Sequence, residues 1–250
     1  MTCHSDGLCY RIGSDFGRST EGLVALYRFD DGGGSLVRDR ADYDAPNDLR
    51  AVDERALSWQ PGSLTLDKST VLTNGTNPSK IAIAAKATNE LTVEAWLSPR
   101  RERSSGPARI AVLSDTTWDQ NFVMGQGEHF SDGDKALWSH RVRTTDTDEM
   151  GYPMFKTPDG TVDRRLTHLV YTRSADGSET YYIDGDRVAN SRRAGSFANW
   201  DTRHTLKLGN EDSQDRPWRG TFHMFAVFDR ALTAEDVRGH FAIGADPELN

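Results

Sequence analysis

The 250-residue sequence predicts an all-β protein, a two-sheet antiparallel sandwich of jelly-roll type with one short C-terminal helix. Three observations predict it. The charges comprise 27 Asp to 11 Glu and 24 Arg to 6 Lys, whereas helix-rich chains lean on Glu and Lys and leave Asp to turns and caps. The chain has 22 Gly against 9 Pro, the mark of tight turns rather than extended linkers. Between those turns lie short runs rich in β-branched and aromatic residues, the pattern of strands.

The elements follow in order. LVALYRF (23–29) is bounded by Gly22 and a Gly/Ser loop. LTVEAWL (91–97), ARIAVLS (108–114), QNFVMGQ (120–126) and ALWSHRVR (136–143) come next. LTHLVYTR (166–173), ETYYIDG (179–185), HTLKLGN (204–210) and WRGTFHMFAVFD (218–229) complete the set. Ala175-Asp176-Gly177 predicts a hairpin turn with Gly177 at positive φ, and Asp184-Gly185 closes the next strand in the same way. One helix is predicted, capped by Thr233, with Val237, His240 and Phe241 at helical spacing and Gly244 with Pro247 ending it. Residues 1–21 read as a polar tail, 22–244 as one domain and 245–250 as a second tail. Cys3 and Cys9, the only cysteines, would close a small terminal loop as a disulfide, which suits an oxidising compartment.

Composition excludes several function classes. A net charge of −8 without a basic block argues against a nucleic-acid partner. No run approaches the ~20 apolar residues of a membrane span. Neither a Gly-x-Ser-x-Gly elbow nor a phosphate-cradling loop is present.

GLVALYRFDDGGGSLVRD (22–39), LTVEAWLSP (91–99), LTHLVYTRSADGSETYYIDGDRVA (166–189) and GTFHMFAVFDRALTAEDV (220–237) together resemble the laminin G-like domains of the concanavalin A-like lectin/glucanase superfamily. Arg230, Ala231, Leu232, Thr233 and Asp236 carry the most specific part of the match. The resemblance implies two curved sheets, one of them concave and able to hold a saccharide. It also implies a structural calcium, for which Asp30, Asp31 and Asp39 bracket one loop and supply the oxygen ligands a hard cation needs. The sequence departs from the family at His223, where an acidic residue often completes that site. Catalysis is not implied, because binders, hydrolases and lyases share this scaffold.

The glucanase pattern of acids at alternate strand positions is missing, and Glu211 and Asp212, being adjacent, face opposite ways in a strand. The expectation is therefore a non-catalytic carbohydrate-binding or adhesion module of a secreted or surface protein, with a polysaccharide or glycan as partner. The alternatives are a lyase or hydrolase on the same fold and a structural module with a protein partner. Sugars present apolar C–H faces and hydroxyl edges, so binding sites pair an aromatic ring with planar polar groups. On that ground Trp200, and Trp218 with Asn210, Glu211 and Arg216, are candidate ligand contacts. Trp138, His140 and Arg143 form a second candidate set, with His140 and Arg143 as base and neutralising cation in the lyase alternative.

Overall fold

The computed structural model describes residues 18–75 and 79–245 in full, together with the backbone of Thr2–Cys3 and Cys9–Tyr10. In chain order the strands are β1 (Thr2–Cys3), β2 (Cys9–Tyr10), β3 (Leu23–Tyr27), β4 (Leu36–Val37), β5 (Leu49–Ala51), β6 (Leu57–Gln60), β7 (Ser63–Leu66), β8 (Leu72–Thr73) and β9 (Leu91–Pro99). They continue with β10 (Ala108–Ser114), β11 (Gln120–Gln126), β12 (Trp138–Val142), β13 (Phe155–Lys156), β14 (Thr167–Arg173), β15 (Ser178–Ile183), β16 (Asp186–Arg192), β17 (Thr205–Leu208) and β18 (Gly220–Phe228). Two α-helices, α1 (Lys80–Thr88) and α2 (Ala234–Ile243), complete the described elements.

The strands form two eight-stranded antiparallel sheets. The first runs β13-β12-β11-β10-β17-β8-β5-β4. The second runs β16-β15-β14-β9-β18-β7-β6, with β3 pairing the C-terminal half of β18. Alternation then sorts each strand's side chains. On β9, Leu91, Val93, Ala95 and Leu97 enter the core between the sheets, while Trp96 joins a second apolar layer outside it. That outer layer is covered by α2 through Val237. On β12, Trp138 and Val142 point into the core, which leaves Ser139 and Arg141 facing outward.

Turn chemistry holds as the sequence predicts. Asp184 (φ 52°) and Gly185 (φ 85°) are both left-handed, the geometry of a two-residue hairpin whose twist matches its strands. At α2 the Thr233 and Asp236 side chains bond each other's backbone N–H, a reciprocal cap.

One expectation is corrected here: the chain has two α-helices, not one. The Ser79 hydroxyl caps α1 by accepting from the Ala82 N–H at 3.4 Å, and Asn89 ends it in the left-handed conformation. Lys80, Ile81, Ala82, Ala84 and Ala85 are buried on one face, but Ile83 and Ala87 on the other are apolar too, so the sequence lacks the polar side that marks a surface helix.

The packed body also reaches further than expected, since Arg18 bonds the Glu94 carboxylate and Ser19 N–H donates to His240 Nε2 at 3.0 Å. Cys3 and Cys9 are direct partners in the β1–β2 ladder; their side chains, and with them the expected disulfide, lie outside the described residues, as do residues 246–250.

Candidate functional site

Three loops converge at the end of the sandwich where β9 stops and β18 starts. They are 100–107, 127–137 and 209–219, tied together by bridges between Ser104 and Lys135, Ser105 and Glu128, and Arg109 and Pro217. An open cleft between them is lined by Arg101, Arg103, Arg216 and Arg219, with Asp134 and Asp215 as its acidic lining. Part of this charge is answered. Arg103 lies 3.8 Å from Asp159, and Arg216 lies 3.1 Å from Glu211 and 3.6 Å from Asp215. The Arg101 and Arg219 side chains make no hydrogen bond or ion pair among the described residues. Phe130, 54 % exposed, lies against the Arg216 guanidinium at 5.0 Å and packs on Gly106. Gly106 has a φ of 110°, and a Cβ there would stand 2.8 Å from the Phe130 ring, so only glycine admits both the turn and the ring.

Behind Arg216 a polar network covers the outward face of the first sheet. Arg109 Nε donates to Glu211 Oε2 at 3.1 Å, Gln120 Nε2 donates to the same oxygen at 3.3 Å, and Arg141 Nη2 donates to Gln120 Oε1 at 2.8 Å. Tyr152 lies over Arg141 with the guanidinium 4.8 Å from its ring. Glu211 thus serves Arg109 and Arg216 at once, and through Gln120 it reaches Arg141. Burial and then the neighbouring Arg141 push Arg109 down to about 10. Burial likewise lowers Arg141. Four donor atoms remain buried without a partner among the described residues: Arg109 Nη2, Arg141 Nε and Nη1, and the Ser139 hydroxyl. A buried donor left unpaired costs about 1–3 kcal/mol, so such a cluster calls for acceptors from outside the chain.

A second buried carboxylate sits on the outward face of the other sheet. Glu94 is bonded by Arg18, by His168 Nε2 at 2.8 Å and by His240 Nδ1 at 2.9 Å. Burial alone would raise it, but the Arg18 charge and the two imidazole bonds outweigh burial and hold it well below the usual carboxylate range. The site is closed under α2, which supplies His240.

The structure sorts the sequence-predicted residues into three places. Asn210, Glu211, Arg216 and Trp218 do come together: Asn210 Oδ1 accepts from the Glu211 and Arg216 N–H groups, and Trp218 borders the cleft. Trp218 is nevertheless 1 % exposed, with its indole N–H on Gln126, so its face is not a sugar platform. Trp200 is corrected in the same way, being 2 % exposed, stacked on Phe197 and bonded through Nε1 to the Arg143 carbonyl. Trp138 and His140 lie inside the sandwich, where His140 stacks on Tyr171 at 3.6 Å. Burial, then Arg193 and Arg141, push His140 well below its ordinary value. His140 is therefore a neutral core ring that no ligand reaches, and Arg143 is engaged elsewhere with Asp119.

The expected calcium ligands do not fit a cation. Asp39 accepts from the Leu26, Ala41 and Asn47 N–H groups, each at 3.0 Å, and Lys80 Nζ lies 2.7 Å from it. Asp31 is paired with Arg38 and Asp30 with Arg40, at 2.8 and 2.7 Å. Lysine and arginine already occupy the positions a metal would need, and no cluster of three His, Cys, Asp or Glu suited to a metal exists among the described residues.

Arg101, Arg103, Arg109, Arg141 and Arg219 were not singled out from the sequence. PRRERSSGPAR (99–109), an arginine-rich stretch in an acidic chain, was the signal for the first three. No helix among the described residues is long and apolar enough to cross a membrane.

Comparison with solved structures shows the same architecture elsewhere. A Trypanosoma rangeli sialidase in complex with sialic acid superposes with a TM-score of 0.61 at 15 % identity, over 89 % of this chain and 33 % of its own. A botulinum neurotoxin serotype D/C binding domain gives 0.62 at 10 % identity, over 89 % and 52 %. The CBM40 of a Ruminococcus gnavus IT-sialidase, bound to α2,3 sialyllactose, gives 0.54 at 16 %, over 72 % and 95 %. This chain thus spans about a third of the sialidase it superposes on, and likeness at these identities is likeness of fold. No curated protein matches the sequence. A laminin G family model does match, over residues 73–238. With the two-sheet sandwich described above, that match places the chain in the concanavalin A-like lectin/glucanase superfamily.

Proposed function

We propose that the protein is a non-catalytic carbohydrate-binding module of a secreted or surface protein, and that saccharide binds in the arginine-lined cleft. The observation that carries this reading is the pair of guanidinium groups without a partner among the described residues, Arg101 and Arg219, in an open cleft beside an exposed ring, Phe130. Planar polar groups next to an aromatic face are what a sugar's hydroxyls and C–H face need. The superfamily and the sialyllactose-bound CBM40 support the same reading.

The enzymatic alternatives find less support. Glu211, the buried carboxylate behind the cleft, is held by Arg109, Gln120 and Arg216, and of the two acids in the lining Asp215 lies 3.6 Å from Arg216. His140, the expected lyase base, is sealed in the core. A glycan array and a pull-down on insoluble polysaccharides test the reading. Binding weaker than about 1 mM, equivalent to about −4 kcal/mol, across both panels would overturn it.

A further inference from the structure

We infer that the saccharide taken by this cleft is a polyanion, one bearing carboxylate or sulfate groups on successive units; this rests on the carbohydrate-binding reading above. The charge balance points there first. Four arginines face two aspartates in the cleft, on a chain whose net charge is −8. Behind it, Arg109 and Arg216 share the single carboxylate of Glu211. The cleft thus carries a surplus of positive charge on a chain that is acidic as a whole.

Hydrogen-bond chemistry narrows the ligand further. A guanidinium only donates, so the unpaired Arg101 and Arg219 lining the cleft are matched by an acceptor-only group. Carboxylate and sulfate oxygens are such groups, and their bonds to arginine are shorter and about twice as strong as neutral ones. A neutral sugar hydroxyl brings its own donor to a site already rich in donors.

Shape makes the ligand a chain. Two adjoining hollows share Arg101, Ser104, Ala108, Pro217 and Arg219, and the unpaired Arg101 and Arg219 belong to both. Several separated cations along one open channel suit repeated anions better than a single terminal acid.

The test measures binding of the full chain to alginate, pectate, heparin, sialyllactose and a neutral β-glucan, at low salt and at about 0.3 M sodium chloride, where screening is strong. Alginate, pectate or heparin is expected to bind about tenfold or more tighter than the glucan and to lose most of that advantage in high salt. The uronate and sulfate arms separate the two sources of negative charge. Arg101→Gln with Arg219→Gln is expected to weaken binding about tenfold with an unchanged melting temperature. The same change at Arg187 and Arg192, exposed on β16, should leave binding intact.

Equal, salt-insensitive binding of the neutral glucan would overturn the polyanion inference and leave the carbohydrate reading standing. Binding of no saccharide would overturn both. Tighter binding of sialyllactose than of every polymer, or equal binding of a DNA duplex, would overturn the choice of a polyanionic saccharide chain.

Discussion

Each sheet carries one buried glutamate on its outward face, and the two are solved differently. Glu94 receives Arg18, His168 and His240 on its two oxygens and lies beneath α2. Glu211 is outnumbered by arginines and sits under loops, with donors left over. The same residue type, equally buried, is in one place a clamp and in the other a counter-ion too few. Burial of a charge does not by itself mark function; the unbalanced remainder does.

The largest expected effect breaks the clamp. Glu94→Ala strands Arg18 in a mostly buried position and should cost about 3–5 kcal/mol in urea unfolding. A loss under about 1 kcal/mol would mean the two faces do not differ as described. Next comes Arg141→Met, which replaces a buried, under-partnered cation with an apolar side chain of similar length. Stability should stay level or rise, by as much as about 1–4 kcal/mol, while saccharide binding falls. Lost stability with binding retained would assign Arg141 to the scaffold instead.

Acid titration sharpens the comparison. Glu94 is held below its unfolded value, so its stabilisation is complete above about pH 4.3 and is lost as pH falls through the folded value. His140 is also lowered, but there the unfolded chain takes the proton first. Its stabilisation is complete above about pH 6.5 and declines as pH drops below that. His140→Phe should flatten the upper acid limb of a stability-versus-pH curve, and Glu94→Gln the lower one; unchanged limbs would contradict the burial of both groups. The smallest effect is expected for Phe130→Ala, about 0.5–1 kcal/mol of binding and little stability, because the ring lies on a cation but is half exposed. Calorimetry on the best-binding saccharide checks it.

Much of the fold was legible in the sequence because strand periodicity is local. β10 and β11 fall on the residues that alternation and turn residues marked, and the Thr233 cap starts α2. The element most plainly missed, β16, is a mostly exposed edge strand of Asp, Arg, Asn and Ser, whose stability comes from pairing with β15 rather than from its own pattern. The site was less legible. Polar neighbours made Trp200 and Trp218 read as exposed platforms, yet acceptors distant in sequence, the Arg143 carbonyl and Gln126, satisfy the indole N–H groups and let the rings be buried. Asn210, Glu211 and Arg216 lie close in sequence and were found together, whereas Arg101 and Arg109 join them only through a fold contact more than a hundred residues away. Nor could the sequence show that Lys80, on a helix it did not reveal, would pair with Asp39, one of the residues read as calcium ligands.

The Arg18 contact with the Gly244 carbonyl, at 2.7 Å, brings the first and last packed segments of the body side by side. Arg230, just past β18, reaches back to Ser19 and Glu21, whereas the cleft residue Arg219 stands just before β18. Nine strand residues, about 30 Å, separate those two sites. The first and last segments of the packed body thus meet at one end of β18, and the arginine-lined cleft lies at the other, so a change at one end is a full strand's length from the other.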